Sequence, residues 1–326
     1  MLIDIPSELN LESSLNFCKS IDKYSGEDKY IYDYKNMGNV EPFGALVIGS
    51  KIRRFIDENH NAEREHINFE SKGYAANIGF FYSVRKEYGK IPDLLKGNNN
   101  FIPIKKINIG DSYLECFNNN IEIYEYIEKE VAGHLADVLS RNNDNLKKCL
   151  TYCITEVVRN IYEHSKSKEL WYCGQYWPMR DLVEVAIIDE GVGIFNTLSR
   201  NKKLVVSDDE EALAFALSPG ISKSGGSSSQ KYDAYSNTGF GLYMIKKICK
   251  IGGEIAICSG NSCLNINEFK HEYIGTNFIG TAIRIRIKPS KIPTMQDFIR
   301  ELSIEGDKES KKLKSLKEIS IKDIDL

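Results

Sequence analysis

The spacing of apolar residues in about the first 110 residues alternates between the two-residue repeat of strands and the 3.6-residue repeat of helices. Short β-type runs predict strands at 2–5, 30–34, 66–69 and 101–107. Between them, apolar residues near a helical period predict helices at 11–21, 43–56 and 75–88. This order is typical of an α/β layer and not of a helical bundle.

The rest of the chain begins with two predicted helices, a linking helix at 121–140 and a second helix at 144–165. Strand-like runs follow at 182–189 and 282–287. The C-terminal stretch is rich in Lys, Glu, Ser and Ile and has no compact apolar pattern after Leu302. We therefore expect a surface helix and a mobile tail at this end.

Composition and charge limit the classes of protein that the chain can belong to. With 326 residues and 42% hydrophobic content, it can bury a substantial core, and its length favours about two domains. The formal net charge of -3 creates no overall basic field, so nucleic-acid binding is not indicated. The N-terminus has no leader pattern, and no apolar run approaches the roughly 18 residues that span a bilayer. We expect a cytoplasmic protein with no membrane segment.

Eight cysteines are scattered along the chain without a C-x-x-C pair. Cys149, Cys153, Cys249 and Cys258 lie within apolar patterns, which predicts buried, reduced thiols and argues against a disulfide framework. Cys149 and Cys153 could share a helix face. A zinc site there would require two further ligands, which no nearby spacing offers.

The helix predicted at 144–165 separates polar from apolar residues around its axis. Glu156, Asn160 and His164 follow one another along one side. The opposite side is apolar and consists of Leu150, Ile154, Val157 and Ile161. A carboxylate and a carboxamide one turn apart can hold an attacking water and a hard cation, respectively. Taken alone, the pair also fits a solvated helix face with an i,i+4 polar pair.

A carboxylate followed by two glycines ends the strand predicted at 182–189. Asp189 can accept a hydrogen bond from the exocyclic amine of adenine, and Gly191 and Gly193 let the backbone approach the ring closely. Further along, Thr281 opens another strand, where its hydroxyl could join a water network around adenine. Each of these signals is weak by itself.

A second glycine motif, formed by Gly239, Gly241 and Leu242, opens a predicted helix at 243–250. Glycines at a helix start leave N–H groups accessible and align the helix dipole with an anion, which suits phosphate groups. The alternative is an ordinary glycine turn before a helix. The chain has no G-x4-G-K-[ST] match, which argues against a P-loop enzyme.

In their order along the chain, the motifs E-x3-N, D-x-G-x-G, G-x-G-L and G-T resemble the sequence boxes of the GHKL family of gyrases, histidine kinases and anti-sigma kinases. The resemblance covers about half the chain and implies a Bergerat fold, a two-layer α/β sandwich that binds ATP and Mg²⁺. By this likeness Glu156 is the general base and Asn160 is the Mg²⁺ ligand. His164 and Ser165 look more like anti-sigma kinases than sensor kinases.

The same resemblance assigns the nucleotide contacts. It implies that Asp189 accepts from the adenine amine beside Thr281, in a pocket shaped by glycines. The two pocket glycines are Gly191 and Gly193, and the residues expected to contact phosphates through their backbone are Gly239, Gly241 and Leu242.

The stretch 195–238 between the second and third boxes is long and contains a Gly- and Ser-rich run at 219–229. It resembles an ATP lid that becomes ordered around the γ-phosphate. Lys223 is a candidate phosphate contact, although a solvated loop lysine explains its presence equally well.

The element order of the N-terminal part resembles a STAS domain, the fold of anti-anti-sigma factors, with Glu41 and Pro42 at the turn between the second strand and the next helix. Phosphorylated members of that family carry Ser or Thr just after an Asp at this turn. Glu41 and Pro42 replace them here. The first alternative is a phosphate-linked role for this turn, and the second is that Pro42 and Gly44 only shape a helix start.

These patterns predict an α/β protein with a STAS-like domain at 1–115, a linking helix at 116–142, a GHKL domain at 143–289 and a charged helix or tail at 290–326. The expected function is an ATP-driven conformational switch with slow Mg²⁺-dependent hydrolysis. The alternatives are a serine/threonine kinase of the anti-sigma type and a non-catalytic nucleotide-gated interaction module. We expect a protein partner, and a homodimer is plausible, but no interface is identifiable from the sequence.

Overall fold

The computed structural model describes residues 1–91, 100–221 and 239–324, and within these ranges the fold is mixed α/β. The strands are β1 (Leu2–Asp4), β2 (Glu8–Leu9), β3 (Lys29–Asp33), β4 (Asn39–Val40), β5 (Glu63–Ile67), β6 (Phe101–Asn108), β7 (Glu169–Trp177), β8 (Leu182–Asp189), β9 (Glu254–Asn267) and β10 (His271–Ile287). The helices are α1 (Leu11–Ile21), α2 (Pro42–Glu58), α3 (Gly73–Asn77), α4 (Phe80–Ser83), α5 (Ile109–Asn119), α6 (Ile123–Tyr126), α7 (His134–Ser140), α8 (Asp144–Asn160), α9 (Gly193–Leu198), α10 (Asp209–Ala216), α11 (Gly241–Lys250) and α12 (Met295–Lys314). Two π-helical segments, Ile127–Gly133 and Ile161–Ser165, continue α6 and α8.

The strands form one large and two small sheets. Strands β1, β3 and β5 form a parallel sheet in the order β1-β3-β5, and β2 pairs in parallel with β4. The large sheet is antiparallel and has the order β6-β7-β8-β10-β9. In it, Asp189 at the end of β8 lies opposite Thr281 of β10. This register brings together two motifs that are far apart in the sequence.

Both faces of the five-stranded sheet are covered. Because side chains alternate along a strand, Val185 and Ile187 of β8 point to an inner face, where they join one apolar core with α8 and α11. Ala186 and Ile188 point to the outer face and join a second core with α1 and α2. Small residues on that outer face let the two helices approach the strands closely. The N-terminal part of the chain is therefore packed directly on the sheet.

Charged groups also connect α2 to the outer face of the sheet. Glu184 is fully buried, and its carboxylate accepts a hydrogen bond from the backbone N–H of Phe43 at 2.9 Å and from Nε of Arg286 at 2.6 Å. Arg286 also contacts Glu41 at 2.6 Å. A carboxylate at the start of α2 satisfies an N–H group that has no partner within the helix.

The turn at residues 41–44 is a helix start. Pro42 is the first residue of α2, and Glu41, the residue before it, is engaged with Arg286. A Cβ atom at Gly44 would lie 2.2 Å from the carbonyl oxygen of Leu9, so this position admits glycine only. The structure thus favours the second alternative, in which these residues shape the helix start and pack against neighbouring chain.

Several element boundaries in the N-terminal part differ from the sequence predictions. The strand predicted at 66–69 is β5, which ends at Ile67. The helix predicted at 75–88 is two short helices, α3 and α4, because Gly79 between them has a φ of 82°. Strand β6, which falls within the domain drawn at 1–115, pairs with β7 of the large sheet. The linking helix predicted at 121–140 consists of α6, a π-helical segment and α7.

Residues 315–324, for which we expect a mobile tail, are packed against the rest of the protein. The backbone N–H of Ile319 donates to Lys203 at 2.8 Å, and its carbonyl accepts from Val205 at 3.0 Å. Leu313 and Ile319 are buried against Leu198. These apolar residues are too widely spaced to form a recognisable pattern, yet each finds a tertiary partner.

The prediction for the cysteines is confirmed in part. Cys149, Cys153 and Cys249 are free and buried, as expected. Cys258 is not a reduced thiol, since it forms a disulfide with Cys263 of the same strand, whose irregular course brings the two Cα atoms to 3.9 Å. In the described part of the chain, no helix combines the length and apolar content needed to cross a bilayer.

Candidate functional site

A cavity lies on the inner side of the large sheet, between the end of α8, the ends of β8 and β10, α9 and the start of α11. Its empty volume is about 820 Å³, part of which is open to solvent. Of the residues predicted to bind nucleotide or Mg²⁺, seven line it, namely Asn160, Asp189, Gly193, Gly239, Gly241, Leu242 and Thr281.

One end of the cavity is defined by Asp189. Its side chain is buried, Oδ1 accepts a hydrogen bond from the backbone N–H of Gly191 at 2.8 Å, and Thr281 also donates to it. Burial raises the pKa of Asp189 to about 7, although the hydrogen bonds from Gly191 and Thr281 oppose this rise. The ionised carboxylate is therefore a strong acceptor that still has unused capacity for a donor in the cavity.

The turn after Asp189 is held against the end of the α8 segment. A Cβ atom at Gly191 would lie 2.1 Å from the carbonyl oxygen of Ser165, and Val192 donates its N–H to the same oxygen at 2.8 Å. Gly191 does not line the cavity. Its lack of a side chain allows the close approach that fixes the turn beside Asp189.

Ser259 is a further residue that shapes this end of the cavity. Its hydroxyl accepts from the N–H of Ile194 at 2.9 Å and donates to the carbonyl of Gly280 at 2.8 Å. It thus bridges the turn after β8 and the residue before Thr281. Sequence analysis missed Ser259 because it lies inside strand β9, where no motif surrounds it.

Asn160 and the start of α11 also line the cavity. Asn160 is the last residue of α8, and the π-helical segment begins immediately after it. Helix α11 begins at Gly241, and no side chain caps its N-terminus. Its first N–H groups and the amide oxygen of Asn160 provide donors and an acceptor around one space.

Glu156 lies one helical turn before Asn160, behind Gly241. A Cβ atom at Gly241 would be 2.2 Å from Glu156 Oε2, so the carboxylate is in contact with the start of α11. Glu156 is not among the residues that line the cavity, although Gly241 is. Burial raises the pKa of Glu156, and the neighbouring Arg159 partly offsets this.

Arg159 is the second residue that sequence analysis missed. Its buried guanidinium lies 3.2 Å from Glu156 and 3.8 Å from Glu163, and it faces the ring of Tyr124 at 4.8 Å. An Arg three residues after a Glu on a helix is common, so its position gave no signal. In the structure it controls the charge environment of Glu156.

One wall of the cavity is apolar and follows the turn after β8. It is formed by Ile194, Leu198, Ala216 and Ile221, together with Thr197. The other side of this wall packs against Leu313 and Ile319 of the C-terminal segment. Lys223, the candidate phosphate contact, and most of the glycine- and serine-rich run lie outside the described residues.

The N-terminal layer reaches the site through Arg53 of α2. Its guanidinium pairs with Glu190 at 2.5 Å and faces the ring of Trp171 at 3.9 Å. Glu190 directly follows Asp189. A change in the backbone at Asp189 would therefore be transmitted to α2, a helix of the outer layer.

The described residues hold no cluster of three or more His, Cys, Asp or Glu side chains suited to a metal ion. Asn160 offers one oxygen ligand at the cavity. Magnesium in nucleotide sites takes only one or two ligands from the protein and the others from phosphate and water, so this donor set fits that cation.

Comparison with known proteins gives no assignment, because no family model matches the chain and no curated protein is similar to it.

Proposed function

We propose that the protein binds Mg²⁺-ATP in this cavity and acts as an ATP-driven conformational switch with slow hydrolysis. The observation that carries the proposal is the distribution of polar groups along one cavity. Asp189 and Thr281 line it from the strands, and Asn160 and the start of α11 line it from the helices. The GHKL-like order of the motifs in the sequence supports the same ligand.

The end near Asp189 suits adenine. Its exocyclic amine is a donor for the buried carboxylate, and the flat apolar faces of the ring match the aliphatic side chains of Ile187, Ile194 and Ile283. A buried acceptor that meets no donor disfavours a ligand without the amine. This predicts a preference for ATP over GTP, whose purine carries a carbonyl oxygen at that position.

The other end suits phosphates. The uncapped N-terminus of α11 favours negative charge, and Gly239 and Gly241 leave the backbone open to close approach. Asn160 would hold Mg²⁺, which neutralises phosphate charge when bound. The antiparallel sheet with α8 and α11 on its inner face is compatible with a Bergerat fold.

Glu156 supports hydrolysis over simple binding. A carboxylate whose pKa is raised by burial is a stronger base than an exposed one, and Glu156 touches the helix start that would hold the phosphates. Arg159 engages the same carboxylate at 3.2 Å. The ion pair restrains the base, so slow turnover follows.

The contact between Arg53 and Glu190 supports the switch. It joins the residue after Asp189 to α2, which packs on the large sheet and whose Phe55 contacts Tyr30 of the N-terminal sheet. Nucleotide binding at Asp189 would change the force on this ion pair and thereby the packing of the outer layer.

An anti-sigma-type kinase is the second candidate, and the STAS-like element order of the N-terminal part favours it. The turn at Glu41 and Pro42 has no hydroxyl and is engaged with the large sheet, so the phosphate acceptor would be a separate protein. A non-catalytic nucleotide-gated module is the third candidate, for which Glu156 would have no catalytic role.

The test combines calorimetry of ATP binding with phosphate release in the presence of Mg²⁺. We expect the wild type to bind and hydrolyse ATP slowly, Glu156→Gln to bind without turnover and Asp189→Asn to lose binding. Glu301→Gln, which changes an exposed carboxylate on α12, is the control and should behave as wild type. Binding without phosphate release would favour the kinase or the non-catalytic module, and absence of binding would refute the proposal.

A further inference from the structure

Helix α5 exposes several large apolar side chains. Ile109, Ser112 and Cys116 pack inward. Four other residues of the helix and the turn just beyond it are exposed, and we call them the α5 patch. They are Tyr113 (47% exposed), Leu114 (63%), Phe117 (84%) and Ile121 (37%). Four exposed large apolar side chains fall within nine residues, and such a local concentration on a monomer surface indicates an interaction site.

The two other highly exposed apolar residues differ from this patch. Met179 is 98% exposed and Phe269 is 88% exposed, but each stands alone in the connection between two antiparallel strands. Isolated exposed apolar residues are normal and need no partner. The α5 patch is a cluster on a regular helix, so it requires a different explanation.

The surroundings of the α5 patch are strongly acidic. Residues 109–130 contain six acidic side chains and a single basic one, Lys129, although the whole chain has a net charge of only -3. The acidic residues are Asp111, Glu115, Glu122, Glu125, Glu128 and Glu130. Lys129 is paired with Glu125 at 2.6 Å. Burial raises the pKa of the Cys116 thiol of α5, and Glu115 and Glu122 lie close enough to raise it further, so the field at this helix is negative.

The exposed apolar side chains and the acidic residues near them together indicate which kind of partner can bind the α5 patch. Two copies of the patch facing each other across a two-fold axis would bring acidic rims together, which disfavours a symmetric dimer. An anionic membrane or a nucleic acid would be repelled for the same reason. We propose that the α5 patch docks a partner protein through a lysine- or arginine-rich amphipathic segment, whose apolar side covers Phe117 and whose basic side meets the acidic rim.

The test uses the full-length protein and a short fluorescein-labelled peptide of leucine and lysine in helical spacing. Fluorescence anisotropy measures binding at low and at physiological salt. The same peptide with glutamate in place of lysine is the charge control. We expect the lysine peptide to bind, with an affinity that falls as salt rises, and the glutamate peptide not to bind.

Two double variants separate the apolar and the charged contributions. Leu114→Ser with Phe117→Ser should weaken binding at least about tenfold. Glu115→Lys with Glu122→Lys should weaken it by a similar factor at low salt and remove most of the salt dependence. The matched controls are Met179→Ser with Phe269→Ser and Glu301→Lys with Glu318→Lys, which should stay within about twofold of wild type. Because all these side chains are exposed, the variants should fold, and circular dichroism checks this.

Several results would overturn the proposal. They are equal weakening in the control variants, binding of the glutamate peptide, patch-dependent binding to phosphatidylserine vesicles, and a wild-type dimer that the patch variants convert to a monomer in sedimentation experiments. The peptide assay contains no nucleotide, so loss of the α5 proposal and loss of the ATP proposal are distinguishable.

Discussion

Glu184 and Asp189 lie five residues apart on β8, and both are buried, but they belong to opposite faces of the sheet. Glu184, on the outer face, is matched by Arg286 and by the N–H of Phe43. Asp189, on the inner face, forms no ion pair with any residue in the described ranges, and burial raises its pKa to about 7. A buried carboxylate with a built-in cation is a structural contact, whereas one without a cation is available to a ligand.

The largest expected effect concerns the paired carboxylate. Arg286→Met leaves Glu184 and Glu41 buried without their cation and should lower the free energy of unfolding by about 3–5 kcal/mol. Denaturant unfolding measures this change. Adding Glu184→Gln to Arg286→Met should recover part of it, because Glu41 is then the only one of the two carboxylates that has lost Arg286. If the Arg286→Met protein were as stable as wild type, Glu184 would not be a structural carboxylate that depends on its cation, and the contrast with Asp189 would be refuted.

The unpaired carboxylate should give the opposite result. Asp189→Asn should weaken ATP binding about a hundredfold, because an amide nitrogen cannot accept from the adenine amine. Its stability should stay close to wild type, since the amide oxygen can still accept from Gly191. Calorimetry and thermal unfolding on the same preparation check both statements. A destabilised Asp189→Asn protein with unchanged affinity would reverse the assignment.

The pH dependence of ATP binding distinguishes the two carboxylates further. In the proposed site, the adenine amine needs the ionised form of Asp189, whose pKa in the free protein is about 7, so binding should release a proton below this pH. The Kd for ATP should therefore rise by up to about tenfold for each pH unit below 7 and level off above it. The weak binding of Asp189→Asn should not follow this curve. A flat profile for the wild type would show that Asp189 is not the acceptor.

Glu156 is intermediate between these two carboxylates, because it is buried next to a cation and also next to the cavity. Removing the charge of Arg159 with Arg159→Met should raise the pKa of Glu156 further, so the acidic limb of the pH–rate profile should move to higher pH. The maximal rate should change by less than about tenfold, and ATP affinity should be retained. Arg159→Lys should restore most of the wild-type profile. An unchanged profile would separate Arg159 from the function of Glu156.

Strong local periodicity made part of this fold predictable. The residue patterns of the helix from Asp144 and of the strand ending at Asp189 each fit one type of secondary structure. Both elements are present in the fold. The helix predicted at 75–88 failed because the left-handed conformation of Gly79 is not visible in an apolar pattern. Ile319 was missed because its burial depends on a partner, Leu204, more than 100 residues away.

The residues of the candidate site also form two groups, those that could be predicted from the sequence and those that could not. Motif residues such as Asp189 and Gly241 could be named because each lies in a short pattern with a physical reason for its residue types. Ser259 and Arg159 could not, because their importance comes from contacts that only the folded chain makes. The disulfide of Cys258 likewise depends on the irregular course of β9, which no spacing of cysteines reveals.

The close packing of α1 and α2 on the large sheet has a consequence for how this sequence can change. Ala186, Ala256 and Ala282 leave only enough room for the helices that lie over them, so a larger residue at one of these positions requires a smaller one in the first 60 residues. Substitutions in the first 60 residues and in the strands beneath them are therefore expected to occur in pairs. A chimera that combines the first 60 residues of this chain with the large sheet of a distant relative would place mismatched surfaces in contact. Evolution should seldom retain such a chimera.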